Sequence, residues 1–162
     1  MGETGKRIIA GISIASIVIA ALWLDVYHWI FPLVMVMFFS LMGLVEFYRL
    51  TDRGMDGRPF RKLGYLFSIL IILAFYAEFL YQQTLNGHEL GGIHETFVHW
   101  FYPGQHNLTP GLLILFMICV FVAQLFTRPI DGALYSMTAT LGGTLYTTLT
   151  TAHALLLFAY PK

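Results

Sequence analysis

The chain has 162 residues, of which 57% are hydrophobic, 16% aromatic and only 11% charged, and its mean hydropathy is +0.71. A soluble domain carries about 25% charged residues, so an aqueous globular fold is excluded: the polar surface is too small to wrap the apolar mass. Formal net charge is zero, which leaves no long-range field to gather nucleic acid, and a single cysteine, Cys119, excludes an internal disulfide framework or a cysteine-rich metal site.

At about 20 apolar residues per crossing, the length allows roughly six spans at most. The first apolar run is Ile8 to Leu24, 17 residues without a charge, or about 26 Å of helix. It exceeds the roughly 7–15 residues of a signal-peptide core, and Trp23 crowds cleavage after Ala21, so a retained span is predicted. Tyr27 to Val45 follows after only Asp25 and Val26, which predicts a tight helical hairpin. Pro32 falls in its early turns, where a missing N–H costs little. Leu63 to Tyr81, Leu108 to Phe126 and Gly132 to Tyr160 complete five predicted spans, and the last is long enough to tilt.

Lysine and arginine placement orients them. Lys6 and Arg7 precede the first span; Arg49, Arg53, Arg58, Arg61 and Lys62 lie between spans two and three; Arg128 lies between four and five. A cytosolic N-terminus puts eight of the nine basic residues inside, all but Lys162. The expected fold is therefore all-α: one polytopic transmembrane helix bundle over residues 1–162, with a cytosolic loop at 46–62 and an outer loop at 82–107.

The cytosolic loop holds Asp52 and Asp56 among its five cations, a composition able to bind phosphate, an anionic headgroup or a magnesium nucleotide, though also that of a solvated loop whose cations set topology. Glu46 and Arg49 are i,i+3 neighbours able to pair. Asp56-Gly57 and Asp131-Gly132 open like the CDP-alcohol phosphotransferase motif but lack its Ala-Arg pair and its later aspartates, so that family is rejected.

The outer segment carries four of the six histidines: His88, His94, His99 and His106. His94-Glu95 with His99 is spaced i+5, roughly 140° apart around a helix, and cannot make the i,i+4 pair of a zinc protease. Ile93, Phe97, Trp100 and Phe101 recur at helical spacing, which predicts a short amphipathic helix in the membrane interface, with Trp100 and Tyr102 at headgroup depth. Asn107-Leu108-Thr109 fits the glycosylation triplet.

Glu78 is the one acid well within a span, one turn from its outer end, and snorkelling is easier for it than a buried relay. His153 is read as a structural hydrogen-bonding residue and Cys119 as packing. The fifth span is rich in Gly, Ala, Ser and Thr. Gly132 with Ser136, and Ala139 with Gly143, are small pairs four apart that let helices approach closely. Gly142-Gly143-Thr144 lacks the lysine of a P-loop.

Lys6-Arg7-Ile8-Ile9, the span ending Ala20-Ala21-Leu22-Trp23-Leu24, the tight turn, and a second span closing on Glu46-Phe47-Tyr48-Arg49-Leu50 resemble the N-terminal hairpin of phosphatidate cytidylyltransferases, also called CDP-diacylglycerol synthases. The resemblance implies an integral membrane enzyme of phospholipid biosynthesis that joins CTP and phosphatidate into CDP-diacylglycerol and pyrophosphate, with Mg2+ expected for the full-length enzyme. The family keeps its metal-binding, Lys-, Asp-, Gly-, His- and Arg-rich signature in a C-terminal half, and this chain reaches Tyr160-Pro161-Lys162 before that half would begin. The implied identity is an N-terminal portion, inactive alone. No catalytic, cofactor-binding or metal residue is carried over; Glu46, Arg49 and Arg128 remain as headgroup or cytosolic-face contacts. The implied location is a bacterial inner membrane, and the implied partners are membrane lipid, CTP and packing helices, with homo-oligomers allowed. Two other readings stand beside it: a small non-enzymatic membrane assembly protein acting through span five, and a transporter or channel subunit using Glu78, His153 and the threonine face.

Overall fold

The structure is a computed structural model that describes residue 16 and residues 30–54, 57–87, 89, 91–102 and 108–157. The first predicted span, with Lys6, Arg7 and the turn at Asp25, lies outside these residues, as do Asp56, His88 and His106. The described chain is helical and contains no strand. Its elements are α1 (Ile30–Leu50), α2 (Arg61–Leu85), α3 (Gly92–Phe101), α4 (Thr109–Thr127), α5 (Ala133–Thr144), a π-helical turn (Leu145–Leu149) and α6 (Thr150–Leu157). Backbone angles stay α-helical at Leu145 and Thr150, so α5, the π turn and α6 form one rod. Among the described residues, three helices are long and apolar enough to cross a membrane: α1, α2 and α4.

Helix ends differ from those expected on hydropathy. α1 runs past Val45 to Leu50, because the Glu46–Arg49 pair sits on its exposed side while Tyr48 turns inward and is fully buried. The connection expected over 46–62 thus shortens to 51–60. α2 is the inner helix, with 61% of its apolar window buried against 22% for α1 and for α4, and it packs against every other described element. Ile71, Ile72, Phe75, Tyr76, Phe79 and Leu80 of α2 meet Val36 of α1 and Ala152 and Leu155 of α6. Phe67 meets Phe116 and Val120 of α4 at a second contact, where Cys119 packs at the edge. Val34, Phe38 and Met42 on α1 and Ile114, Ile118 and Phe121 on α4 stay exposed, as apolar side chains facing lipid do.

Between helices in lipid there is no hydrophobic driving force, so close packing and hydroxyl bonds supply the cohesion. The rod's inward residues follow a strict four-residue step: Ser136, Thr140, Thr144, Thr148 and Ala152, all buried. In an ideal α-helix each fourth residue advances by about 40°, which over the whole row would carry Ala152 away from the core. The wider π turn, with its i→i+5 bonds, turns the row back and keeps one face inward. Within that face, the hydroxyl of Thr148 lies 2.7 Å from Ser68 Oγ of α2 and receives a 3.1 Å hydrogen bond from Ser40 Oγ of α1. Ser40 and Ser68 are 3.4 Å apart. Three helices are thus tied at one buried point. Thr148→Val keeps the shape and removes the shared hydroxyl. It should cost about 1 kcal/mol, read as a lowered thermal midpoint in detergent, and a Ser40→Ala, Thr148→Val double variant should lose less than the two single losses together.

Candidate functional site

The loop 51–60 and the turn between α4 and α5 meet at one end of the bundle. The rod's first turns hold the loop by its backbone. Ser136 Oγ accepts the Arg58 N–H at 3.1 Å, and Thr140 Oγ1 accepts the Phe60 N–H at 2.8 Å while donating to Ser136 O at 2.6 Å. Tyr135 donates its hydroxyl to Thr51 O at 2.8 Å, and the Arg53 guanidinium lies 4.2 Å above its ring. Tyr48 closes the underside, with its hydroxyl donating to Thr140 O at 3.0 Å and lying 2.9 Å from Thr144 Oγ1. The loop is thus tied to the rod at Thr51, Arg58 and Phe60 despite its surface position.

On this support lies an open groove of about 490 Å³, lined by Asp52, Arg58, Pro59, Phe60, Arg61, Lys62, Leu63 and Arg128. Among the described residues, four cations face one carboxylate. Asp52 accepts the Gly54 N–H at 2.9 Å, the turn this residue favours, and bonds Arg61 Nη2 at 2.5 Å, with Arg58 Nε 3.8 Å away. The Gly54 N–H first, then Arg61 and Arg58, hold its carboxyl below the usual carboxylate range against the opposing effect of desolvation. Asp52 is thus committed to the loop and neutralises part of two arginines.

Arg128 is different. Its guanidinium lies 3.9 Å above the Phe60 ring, and Nη1 donates to Arg58 O and, at 3.3 Å, to Ser136 Oγ. Among the described residues no carboxylate pairs with it. Partial burial and the charge of Arg58 lower its pKa from the ordinary arginine value, only partly offset by Asp52, yet a guanidinium remains charged at neutral pH. Arg61 and Lys62 also open α2, the end of a helix where a cation is disfavoured and an anion favoured. A stacked, aligned guanidinium beside a helix N-terminus and two further cations suits a phosphate oxyanion.

Of the three residues expected at this face, Arg128 lines the groove. Glu46 and Arg49 pair with each other at 3.5 Å on the exposed side of α1 and are not among the lining residues. Hydropathy and charge gave no hint of Phe60, Ser136 or Thr140 as site residues. The available signals were an aromatic residue after Pro59 inside a basic loop and hydroxyls one turn apart at the start of span five. At the other end of the bundle, Glu78 is half-buried on α2 and interacts electrostatically with His153, whose ring packs 4.8 Å from Phe75 and whose Nδ1 lies 2.6 Å from Leu149 O. Among the described residues no three His, Cys, Asp or Glu side chains come together to hold a metal; His94 and His99 stay apart on α3. No protein-family model, curated protein or solved structure matches this chain.

Proposed function

We propose that this chain is the membrane-embedded N-terminal part of a phosphatidate cytidylyltransferase in a bacterial inner membrane, with five spans and a cytosolic N-terminus. Its role is helix scaffold and phosphate anchor: the groove at the cytosolic ends of the helices holds the phosphate of the lipid substrate. The observation that carries this reading is Arg128, a charged guanidinium that no carboxylate pairs with among the described residues, aligned by Phe60, Ser136 and the Arg58 carbonyl in a groove with three more cations. The span order and the Glu-aromatic-aromatic-Arg-Leu ending of the second span support the family.

Nucleotidyl transfer joins a phosphatidate oxygen to the α-phosphate of CTP and expels pyrophosphate, and it needs carboxylates to hold Mg2+. The described residues do not fit that ion. Asp52, the carboxylate lining the groove among the described residues, is taken up by Gly54, Arg61 and Arg58, and among those residues no acidic cluster stands beside it. On this reading the chain contributes binding and orientation of the lipid phosphate.

In membranes supplied with CTP, magnesium and phosphatidate, the chain alone is expected to form no CDP-diacylglycerol. In nanodiscs, the purified chain is expected to retain phosphatidate in preference to phosphatidylcholine. Robust CDP-diacylglycerol formation would move the chemistry into these helices, and equal retention of the two lipids would remove the groove's role.

A further inference from the structure

The helix between the second and third long apolar helices is placed by its neighbours. α3 packs on α2 through Phe97, whose ring lies 5.7 Å from Tyr76, and the adjoining Tyr102 stacks on Tyr81 at 4.8 Å. Phe101 stacks on Phe97 at 4.6 Å, and Val98 joins the same core. Phe97 and Phe101, which helical spacing groups with Ile93 and Trp100 on one apolar stripe, therefore face the protein. Ile93 and Trp100, seven residues apart and one above the other, lie at the edge of that contact, 86% and 74% exposed. The arc beyond them carries Thr96, His99 and Glu95.

Position along α2 fixes the depth. Arg61 borders the groove, and Tyr81 lies twenty residues further on, a rise of about 30 Å, which is the thickness of a bilayer's hydrocarbon core. Tyr81, Tyr102 and Trp100 form the aromatic belt expected at such a boundary.

We infer that α3 is an interfacial anchor: its Ile93–Trp100 edge inserts into the lipid leaflet one hydrocarbon thickness from the basic groove, with Glu95, Thr96 and His99 toward water. The partner is the headgroup–acyl boundary of the bilayer, entered to about 5–10 Å. This reading needs neither the enzyme family nor the phosphate site.

The test is depth-resolved quenching. With Trp23→Phe and Trp29→Phe, Trp100 is the remaining tryptophan, and the full chain is placed in phosphatidylcholine vesicles brominated either near the headgroup end or near the methyl end of the acyl chains. Trp100 should be quenched at least about twofold more by the shallow bromines and weakly by aqueous iodide. Dominant iodide quenching would overturn the anchor. So would lipid quenching that disappears as the protein-to-lipid ratio rises, which would mean that the edge is covered by a second copy. Spin labels at Ile93→Cys and Thr96→Cys, on a Cys119→Ala background, give an independent reading. Oxygen should reach the first preferentially and a water-soluble nickel complex the second; the same accessibility at both sites would sink the proposal.

Discussion

Gly64→Ala should destabilise the bundle by about 3 kcal/mol, seen as a fall of roughly 10 °C in the thermal midpoint of the detergent-solubilised chain. A β-carbon at this position would lie 1.9 Å from the Tyr48 hydroxyl oxygen and 2.7 Å from the ring carbon that carries it. Tyr48 cannot swing away. Its hydroxyl is held by Thr140 O and Thr144 Oγ1, and Gly143 closes the opposite side, where an added β-carbon would meet Phe47 and Tyr48 at 2.7 Å. The ring is fully buried, so the new methyl must displace α2 or break both bonds. Overpacking alone costs about 1–3 kcal/mol, and a stranded buried hydroxyl adds about 1–3 kcal/mol.

Two companions make that prediction specific. Gly142→Ala, one residue from Gly143 on the same rod, meets nothing within 4 Å and should be neutral or stabilising by up to about 1 kcal/mol through helix propensity. Tyr48→Phe combined with Gly64→Ala removes the closest atom of the clash, so the pair should cost less than the two changes added together. An equal loss for Gly64→Ala and Gly142→Ala would show that helix packing at Tyr48 is not the cause.

These contacts mark where reading the sequence succeeds and where it stops. Helices long enough to cross a hydrocarbon core are legible because a run such as Leu108 to Phe126 is apolar on every side, so no rotational detail is needed to recognise it. Facing is another matter. Gly142 and Gly143 are indistinguishable in sequence, yet one opens to space and the other meets Tyr48, a difference set by the about 100° between adjacent residues of a helix and by how the rod is rotated. The four-residue row from Ser136 to Ala152 was present in the sequence, but in a regular α-helix it winds around the axis. Only the wider turn makes it a face. α3 shows the same limit: the stripe Ile93, Phe97, Trp100, Phe101 was visible, while its division between protein and lipid depends on where Tyr76 and Tyr81 stand.

The groove was the least legible feature, because it joins Asp52 and residues 58–63 to Arg128 and is supported by Ser136 and Thr140, some eighty positions from the loop they hold. Charge counting grouped five cations in one loop. It could not show that Asp52 neutralises part of two of them, while among the described residues no carboxylate pairs with Arg128.

The second large effect arises from that arrangement. Arg128→Ala should weaken phosphatidate retention in nanodiscs by about 10- to 100-fold, because a charge-assisted hydrogen bond contributes about 1.5–3 kcal/mol and each 1.4 kcal/mol is about tenfold in affinity. Binding of phosphatidylcholine, whose phosphate carries less charge and is shielded by its choline, should be unaffected. Arg128 also bonds the Arg58 carbonyl and Ser136, so a loosened loop could by itself imitate a lost ligand contact. Lys62→Gln separates the two effects, since Lys62 lines the groove and takes no part in those loop bonds. It should lower affinity by a smaller factor and leave the thermal midpoint unchanged. Arg128→Lys keeps the charge but loses the flat guanidinium that lies over Phe60 and reaches two acceptors at once, so it should recover affinity only in part. Should Arg128→Ala and Lys62→Gln both retain phosphatidate at the original affinity, the lipid phosphate is not held in this groove, and the cations serve only to orient the helices in the membrane.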